Sequence, residues 1–175
     1  MTVARRDVRG VQGEPSAALF RLHRGPLPNL FVIGGTAADR VAIAGALHRD
    51  SRLRGRPFCV TGAGAYEGLL RTSLRIWAGP TPTTAPLACG GGTLFVDQIA
   101  LLPRDLQELL VPLATRLAAE TGEPAPTAGP ARLAAGCRED PVLHVSAGRL
   151  LPALYETLDK LVIQLGTAPA MTAIA

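Results

Sequence analysis

An apolar run, Leu30-Phe31-Val32-Ile33, ends in Gly34 and Gly35, and Thr36, Asp39 and Arg40 follow within five residues. Glycines after such a run let the chain turn sharply, and a helix starting at the turn offers free N–H groups that attract negative charge. Phosphate binding is the chemistry these residue types suggest, with Arg40 as the cation and Asp39 reading a sugar or base. A second apolar run, Thr93-Leu94-Phe95-Val96, ends in Asp97, and Gln98 follows. A carboxylate at that point can hold a metal ion; it can equally brace a loop or cap a helix, as acids at strand ends commonly do. Gly34 and Gly35 have the same plain alternative of satisfying turn geometry. The other reactive types are scattered. Cys59, Cys89 and Cys137 are odd in number and form no CxxC pair, and His23, His48 and His144 stand apart. Neither a disulfide framework nor a metal site is expected from them, and the cysteines read as reduced, buried, small apolar groups.

The chain has 175 residues, 47% of them apolar, which suits one domain with its own core and excludes wholesale disorder. Aromatics are 4%, so Leu, Val, Ile and Ala must fill that core. Of the 18 basic residues, 17 are Arg, and the single lysine is Lys160. Chemistry that needs a lysine anywhere else is thereby ruled out. Charge is uneven: residues 1–75 hold 12 Arg against 5 acids, and residues 76–175 hold 6 basic groups against 9 acids. The arginines are scattered, however, and stacking aromatics are scarce, which argues against nucleic acid as a partner. Arg5-Arg6 precedes no apolar stretch of the signal-peptide kind, and no apolar run approaches the roughly 20 residues that span a bilayer. The expected setting is the cytoplasm, without membrane contact.

The positions of Gly34–Thr36 and Asp97 depend on the elements around them. Residues 1–28 read as a polar arm with a short helix over 17–23, and residues 167–175 as a flexible tail. Between them, strands are expected at 30–33, 57–61, 93–97, 133–135 and 161–165. Helices are expected at 37–49, 65–77, 106–119 and 149–158, the first with Thr36 as its N-cap. The helix at 65–77 would bury Leu69, Leu70, Leu74 and Trp77, and Pro112 should kink the helix at 106–119. Strands alternating with helices imply an α/β fold. Here it would be a doubly wound, mostly parallel five-stranded sheet over 29–166 with helices on both faces. Such sheets bind ligands at the carboxyl ends of their strands, where Gly34–Thr36 and Asp97 both fall.

The segment Gly90-Gly91-Gly92-Thr93-Leu94-Phe95-Val96-Asp97-Gln98-Ile99-Ala100-Leu101-Leu102-Pro103 resembles GGTLFLDEIxxLP. That is the Walker B segment of the bacterial enhancer-binding proteins, the AAA+ ATPases that activate sigma-54 RNA polymerase. The run Phe31-Val32-Ile33-Gly34-Gly35-Thr36-Ala37-Ala38-Asp39-Arg40, continued through His48, is similar to LITGESGTGKELVARAIH without a gap. Pro57-Phe58 matches the PF that opens the family's second strand. Ala134-Ala135-Gly136-Cys137-Arg138 resembles the AATNR sensor segment, and Ala147-Gly148-Arg149 with Leu154-Tyr155 and Leu158 resembles AGRFREDLYYRL. The resemblance runs in order over about residues 30–165 and implies a P-loop, AAA+-like three-layer domain.

The resemblance also marks what differs. The family's second P-loop glycine and its lysine stand here as Asp39 and Arg40. A carboxylate about 4 Å from a triphosphate, at an effective dielectric near 20, repels it by on the order of 4 kcal/mol per charge pair. Micromolar affinity amounts to roughly 8 kcal/mol in all. Asp97 keeps the magnesium position, but the glutamate after it is Gln98, and an amide is no general base at neutral pH. The sensor asparagine is Cys137, and the two arginine-finger positions are Leu151 and Thr157. No GAFTGA loop lies between 75 and 90, and the family's helical lid would follow residue 165, so no lid subdomain is expected. These departures imply a degenerate domain with no enzymatic activity, acting as an interaction, regulatory or scaffolding subunit. Its site, Gly34, Gly35, Thr36, Asp39, Arg40 and Asp97, would be weak or empty, with no cofactor and neither ATP nor magnesium held firmly. The implied partner is another protein, an active enhancer-binding protein or a second copy, in a monomer or dimer more than a hexamer. The alternative is a sensor that binds a nucleotide or phosphate ligand at 34–40 without hydrolysing it.

Overall fold

The computed structural model describes residues 6–7, 29–79, 84–119 and 129–166; the helix expected at 17–23 and the tail at 167–175 lie outside them. Five strands carry the sheet: β2 (Leu30–Ile33), β3 (Phe58–Gly62), β4 (Thr93–Asp97), β5 (Arg132–Cys137) and β6 (Leu161–Gln164). A two-residue strand, β1 (Arg6–Asp7), extends the edge beside β6. It is too short to carry an alternation pattern, so nothing in the polar arm marks it. The order across the sheet is β1-β6-β2-β5-β4-β3, and every pairing is parallel.

Central strands of a parallel sheet are covered on both faces, so they read as continuous apolar runs. Leu30, Val32, Phe95 and Ala134 pack with Ala44 and Leu47 of α1 (Ala37–Arg49). The alternate residues Phe31, Leu94, Val96, Leu133 and Ala135 pack in a larger core. That core is completed by α2 (Glu67–Ala78), α3 (Arg104–Ala119) and α5 (Pro152–Leu158). The result is a three-layer α/β sandwich. The parallel sheet places the ends of β2, β5 and β4 side by side, with β5 lying between the two strands that carry Gly34 and Asp97.

Local chemistry shifts some expected boundaries. Helix α2 starts at Glu67 because the Gly62 carbonyl takes the Ala65 N–H in a turn and Tyr66 is left-handed at φ 62°. Leu70, Leu74 and Trp77 of α2 are buried, but Leu69 is 43% exposed: one residue from Leu70 is 100° around the helix. Pro112 does not end the helix, and α3 continues through it. Pro112 lies on the exposed face with Glu108, whose carbonyl loses its helical donor where water can replace it. A short helix, α4 (Pro141–Ser146), was not expected, although Asp140-Pro141 has the right start signals. The Asp140 carboxylate caps it by accepting from the Val142 N–H at 2.9 Å.

Two buried polar side chains tie distant segments together. Gln107 on α3 is 2% exposed and spans to the segment between α4 and α5. Its amide donates to the carbonyls of Leu102 (3.0 Å) and Arg149 (2.8 Å), and its oxygen accepts from the Leu151 N–H (3.0 Å). His48, near the end of α1, lies with Nδ1 2.9 Å from the Thr93 hydroxyl and Nε2 3.0 Å from the Arg56 carbonyl. Burial holds the imidazole below its ordinary pKa, and the cations of Arg132 and Arg49 add to this against the contrary pull of the Arg56 carbonyl.

Gln107→Leu keeps the volume and strands three backbone groups, so it should lower unfolding stability by about 3 kcal/mol in urea denaturation. Because folded His48 protonates less readily than unfolded His48, the unfolded chain takes up the proton first as the medium is acidified. Stability should therefore fall as pH drops below about 6.5, and His48→Gln should flatten that part of a melting-temperature–pH profile.

Candidate functional site

The six residues expected at the site come together at the carboxyl ends of β2 and β4. Gly34 (φ 88°) and Gly35 (φ 59°) both adopt left-handed backbone directly after β2. A Cβ on Gly34 would stand 2.6 Å from the Leu165 carbonyl oxygen, so the turn is pressed against the end of β6. Gly34 donates to the Cys137 carbonyl at 2.9 Å, which joins the turn to β5 as well. Thr36 then caps α1, as expected.

The cap is a closed two-residue unit. The Asp39 N–H donates to the Thr36 hydroxyl oxygen at 3.2 Å. In return, Asp39 Oδ2 accepts from the Thr36 backbone N–H at 2.9 Å and from the Thr36 hydroxyl at 2.7 Å. This is the reciprocal capping box that satisfies orphan donors at a helix start. The bond from the Thr36 backbone, then that from its hydroxyl, holds the exposed Asp39 carboxyl below the usual carboxylate range. Asp39 is thus turned back onto its own helix.

Arg40 is turned inward. It is 1% exposed, and its guanidinium forms a two-point ion pair with Asp97: Nε to Oδ1 at 2.6 Å and Nη2 to Oδ2 at 2.9 Å. Its third nitrogen, Nη1, donates to the carbonyls of Gly34 (3.0 Å) and Gly35 (2.9 Å). Every guanidinium nitrogen has a partner, and Asp97 accepts through both oxygens. The hydrogen bond to Asp97 raises the Arg40 pKa above its ordinary value, against the opposing effect of burial. Through this pair Asp97 ties the end of β4 to the turn after β2.

Sequence reasoning missed the residue that makes room for this pair. Gly136 lies in β5, between the two partner strands, and an added Cβ would stand 2.2 Å from Asp97 Oδ1 and 3.2 Å from Arg40 Nε. The available signal was a glycine inside an otherwise unbroken buried strand, which marks a close approach. Gln98 is also placed: it has left-handed backbone (φ 51°), and its side-chain oxygen accepts from the Arg138 N–H at 3.4 Å. Cys137 is fully buried at the end of β5, and burial pushes its thiol up. Leu151 and Thr157 belong to the α5 region, where the Leu151 N–H meets Gln107 and the Thr157 hydroxyl donates to the Leu154 carbonyl. Among the described residues, no three of His, Cys, Asp and Glu converge as a metal site would require, and no helix is long and apolar enough to cross a membrane.

No protein-family model matches the sequence, and no curated protein matches it. Solved structures do. NtrX from Brucella abortus in complex with ATP superposes with a TM-score of 0.60 at 16% identity, over 89% of this chain and 38% of that one. The P-loop NTPase domain of the sigma-54 transport activator from E. coli gives 0.50 at 18% identity, over 78% of this chain and 82% of that domain. The RuvB Holliday junction branch migration motor of Thermotoga maritima gives 0.51 at 16%, over 80% and 38% respectively. The chain therefore spans little more than a third of the NtrX structure. At these identities the likeness is one of fold: this chain has the α/β fold seen in the P-loop NTPase domain of the sigma-54 activator.

Proposed function

We propose that this chain is a catalytically inactive AAA+-like domain that works through contact with another protein, as a regulatory or scaffolding subunit. The Arg40–Asp97 pair carries the reading. A nucleotide site of this fold needs a free cation for phosphate and a free carboxylate for magnesium, and here each is bonded to the other. The start of α1, where a phosphate would be drawn, instead receives the Asp39 carboxylate. Gln98 adds to the case, since an amide cannot take a proton from water at neutral pH.

The partner this reading favours is the ATPase domain of an enhancer-binding protein, with sigma-54-dependent transcription as the process modulated. A domain of the same fold, lacking finger arginines at Leu151 and Thr157, would dock beside active subunits without supplying a cation to their phosphates. Exposed apolar side chains suit such docking: Tyr66 (65%) and Leu69 (43%) near the start of α2, and Leu143 (59%) on α4. The chain itself would be a monomer or dimer.

Calorimetric titration with ATP and magnesium should give no binding heat, and phosphate release should not rise above buffer. Magnesium-dependent binding of micromolar order, with turnover abolished by Asp97→Ala, would overturn the proposal; binding without turnover would favour the sensor reading. Affinity capture from the native host should recover an enhancer-binding protein, and a large homo-oligomer without it would point to self-assembly instead. The pair itself is testable by stability. Arg40→Ala leaves the Asp97 carboxylate without its partner and should cost about 3–5 kcal/mol of unfolding free energy. Gly136→Ala drives a methyl group into the Asp97 carboxylate and the Phe95 ring and should cost about 1–3 kcal/mol.

A further inference from the structure

Cysteines that are far apart in the chain meet in the fold. Cys59 lies in β3, the edge strand, and Cys89 in the segment that leads back into β4. The Cys59 thiol donates to the carbonyl of Ala88 at 3.5 Å, next to Cys89. Cys89 belongs to the larger core, Cys59 packs against that core, and the two thiols act electrostatically on one another. Their accessibility differs: Cys59 is half-buried and Cys89 fully buried. Burial, then the neighbouring Cys59, pushes the Cys89 thiol up, so it stays protonated at neutral pH. Cys137 lies elsewhere, near Arg40 and Asp97. Among the described residues no third His, Cys, Asp or Glu joins the two thiols, which argues against a metal centre.

We propose that Cys59 and Cys89 form a reversible disulfide site, with a small peroxide as oxidant. The half-buried Cys59 meets it first. Its thiolate attacks one peroxide oxygen, the O–O bond breaks, and the leaving oxygen takes a proton to become water, leaving a sulfenic acid on Cys59. The Cys89 sulfur then attacks the Cys59 sulfur. The S–S bond forms, the S–O bond breaks, and the departing hydroxide takes the Cys89 proton as a second water. Two thiols and one peroxide give one disulfide and two waters. A small dithiol reverses the step by exchange, as a transient bond in a reducing compartment requires. The closed loop contains all of α2 and the exposed Tyr66 and Leu69, so oxidation pins that surface to the edge strand. The inference does not depend on the state of the nucleotide site.

The full-length folded chain is treated with an equimolar amount of hydrogen peroxide and mapped by non-reducing peptide mass spectrometry. An intramolecular Cys59–Cys89 disulfide is expected in the wild type and in Cys137→Ser, lost in Cys59→Ser and reversed by dithiothreitol. Closing so long a loop should raise the melting temperature by about 5–10 °C. Sulfinic acid at Cys59 without a disulfide, a bond between molecules, or two thiols still open to alkylation would each overturn the proposal. Should Cys59→Ser fail to fold, the wild-type map decides alone.

Discussion

The ion pair between Arg40 and Asp97 is the constraint around which the strand ends are organised. It ties the first turn of α1, and through it the turn after β2, to the end of β4, passing over β5, at a point where neither charge faces water freely. Buried charges are tolerated when their hydrogen-bonding capacity is met, and here it is, through two carboxylate oxygens and two carbonyls. The geometry depends on arginine. A lysine is a point charge on a flexible stem, whereas the planar fork can take a carboxylate side-on and two carbonyls at once. The longer, wider group needs space, and the missing side chain at Gly136 supplies it.

The first turn of α1 follows the same logic with the opposite sign. A helix start presents unpaired N–H groups and attracts negative charge. In this chain Asp39 is the acidic side chain of that first turn, held to Thr36 by three hydrogen bonds counted in both directions. Asp39 and Arg40 are adjacent in sequence but point to different places: one outward onto the cap, one inward beneath the turn. The two consecutive left-handed glycines let the backbone pass between these groups and the end of β6.

Much of this was legible in the sequence, and the parts that were not have a common cause. Leu30–Ile33, Thr93–Asp97 and the helix from Ala37 to Arg49 emerge with the expected bounds because apolar runs, a glycine pair and a threonine cap are local signals. Asp39, Arg40 and Asp97 were identified as site residues, but not their orientation. That Arg40 reaches Asp97, 57 residues away, depends on strand order and on the space above Gly136. The meeting of Cys59 with Cys89 is non-local in the same way, since spacing along the chain says nothing of how an edge strand lies beside a returning loop. Leu69 and Pro112 show a smaller limit: an apolar residue one step off the stripe faces water, and a proline on a solvent face leaves its helix whole.

Proteins that bind a small ligand are stabilised by it, in proportion to how far its concentration exceeds the dissociation constant. A domain in which cation and counter-ion belong to the same chain has that contribution built in at a fixed value. On this reading, its folded population would not track the cell's energy charge. Starved and well-fed cells would hold the same amount of folded protein, while nucleotide-dependent relatives of the fold would gain or lose stability with their ligand.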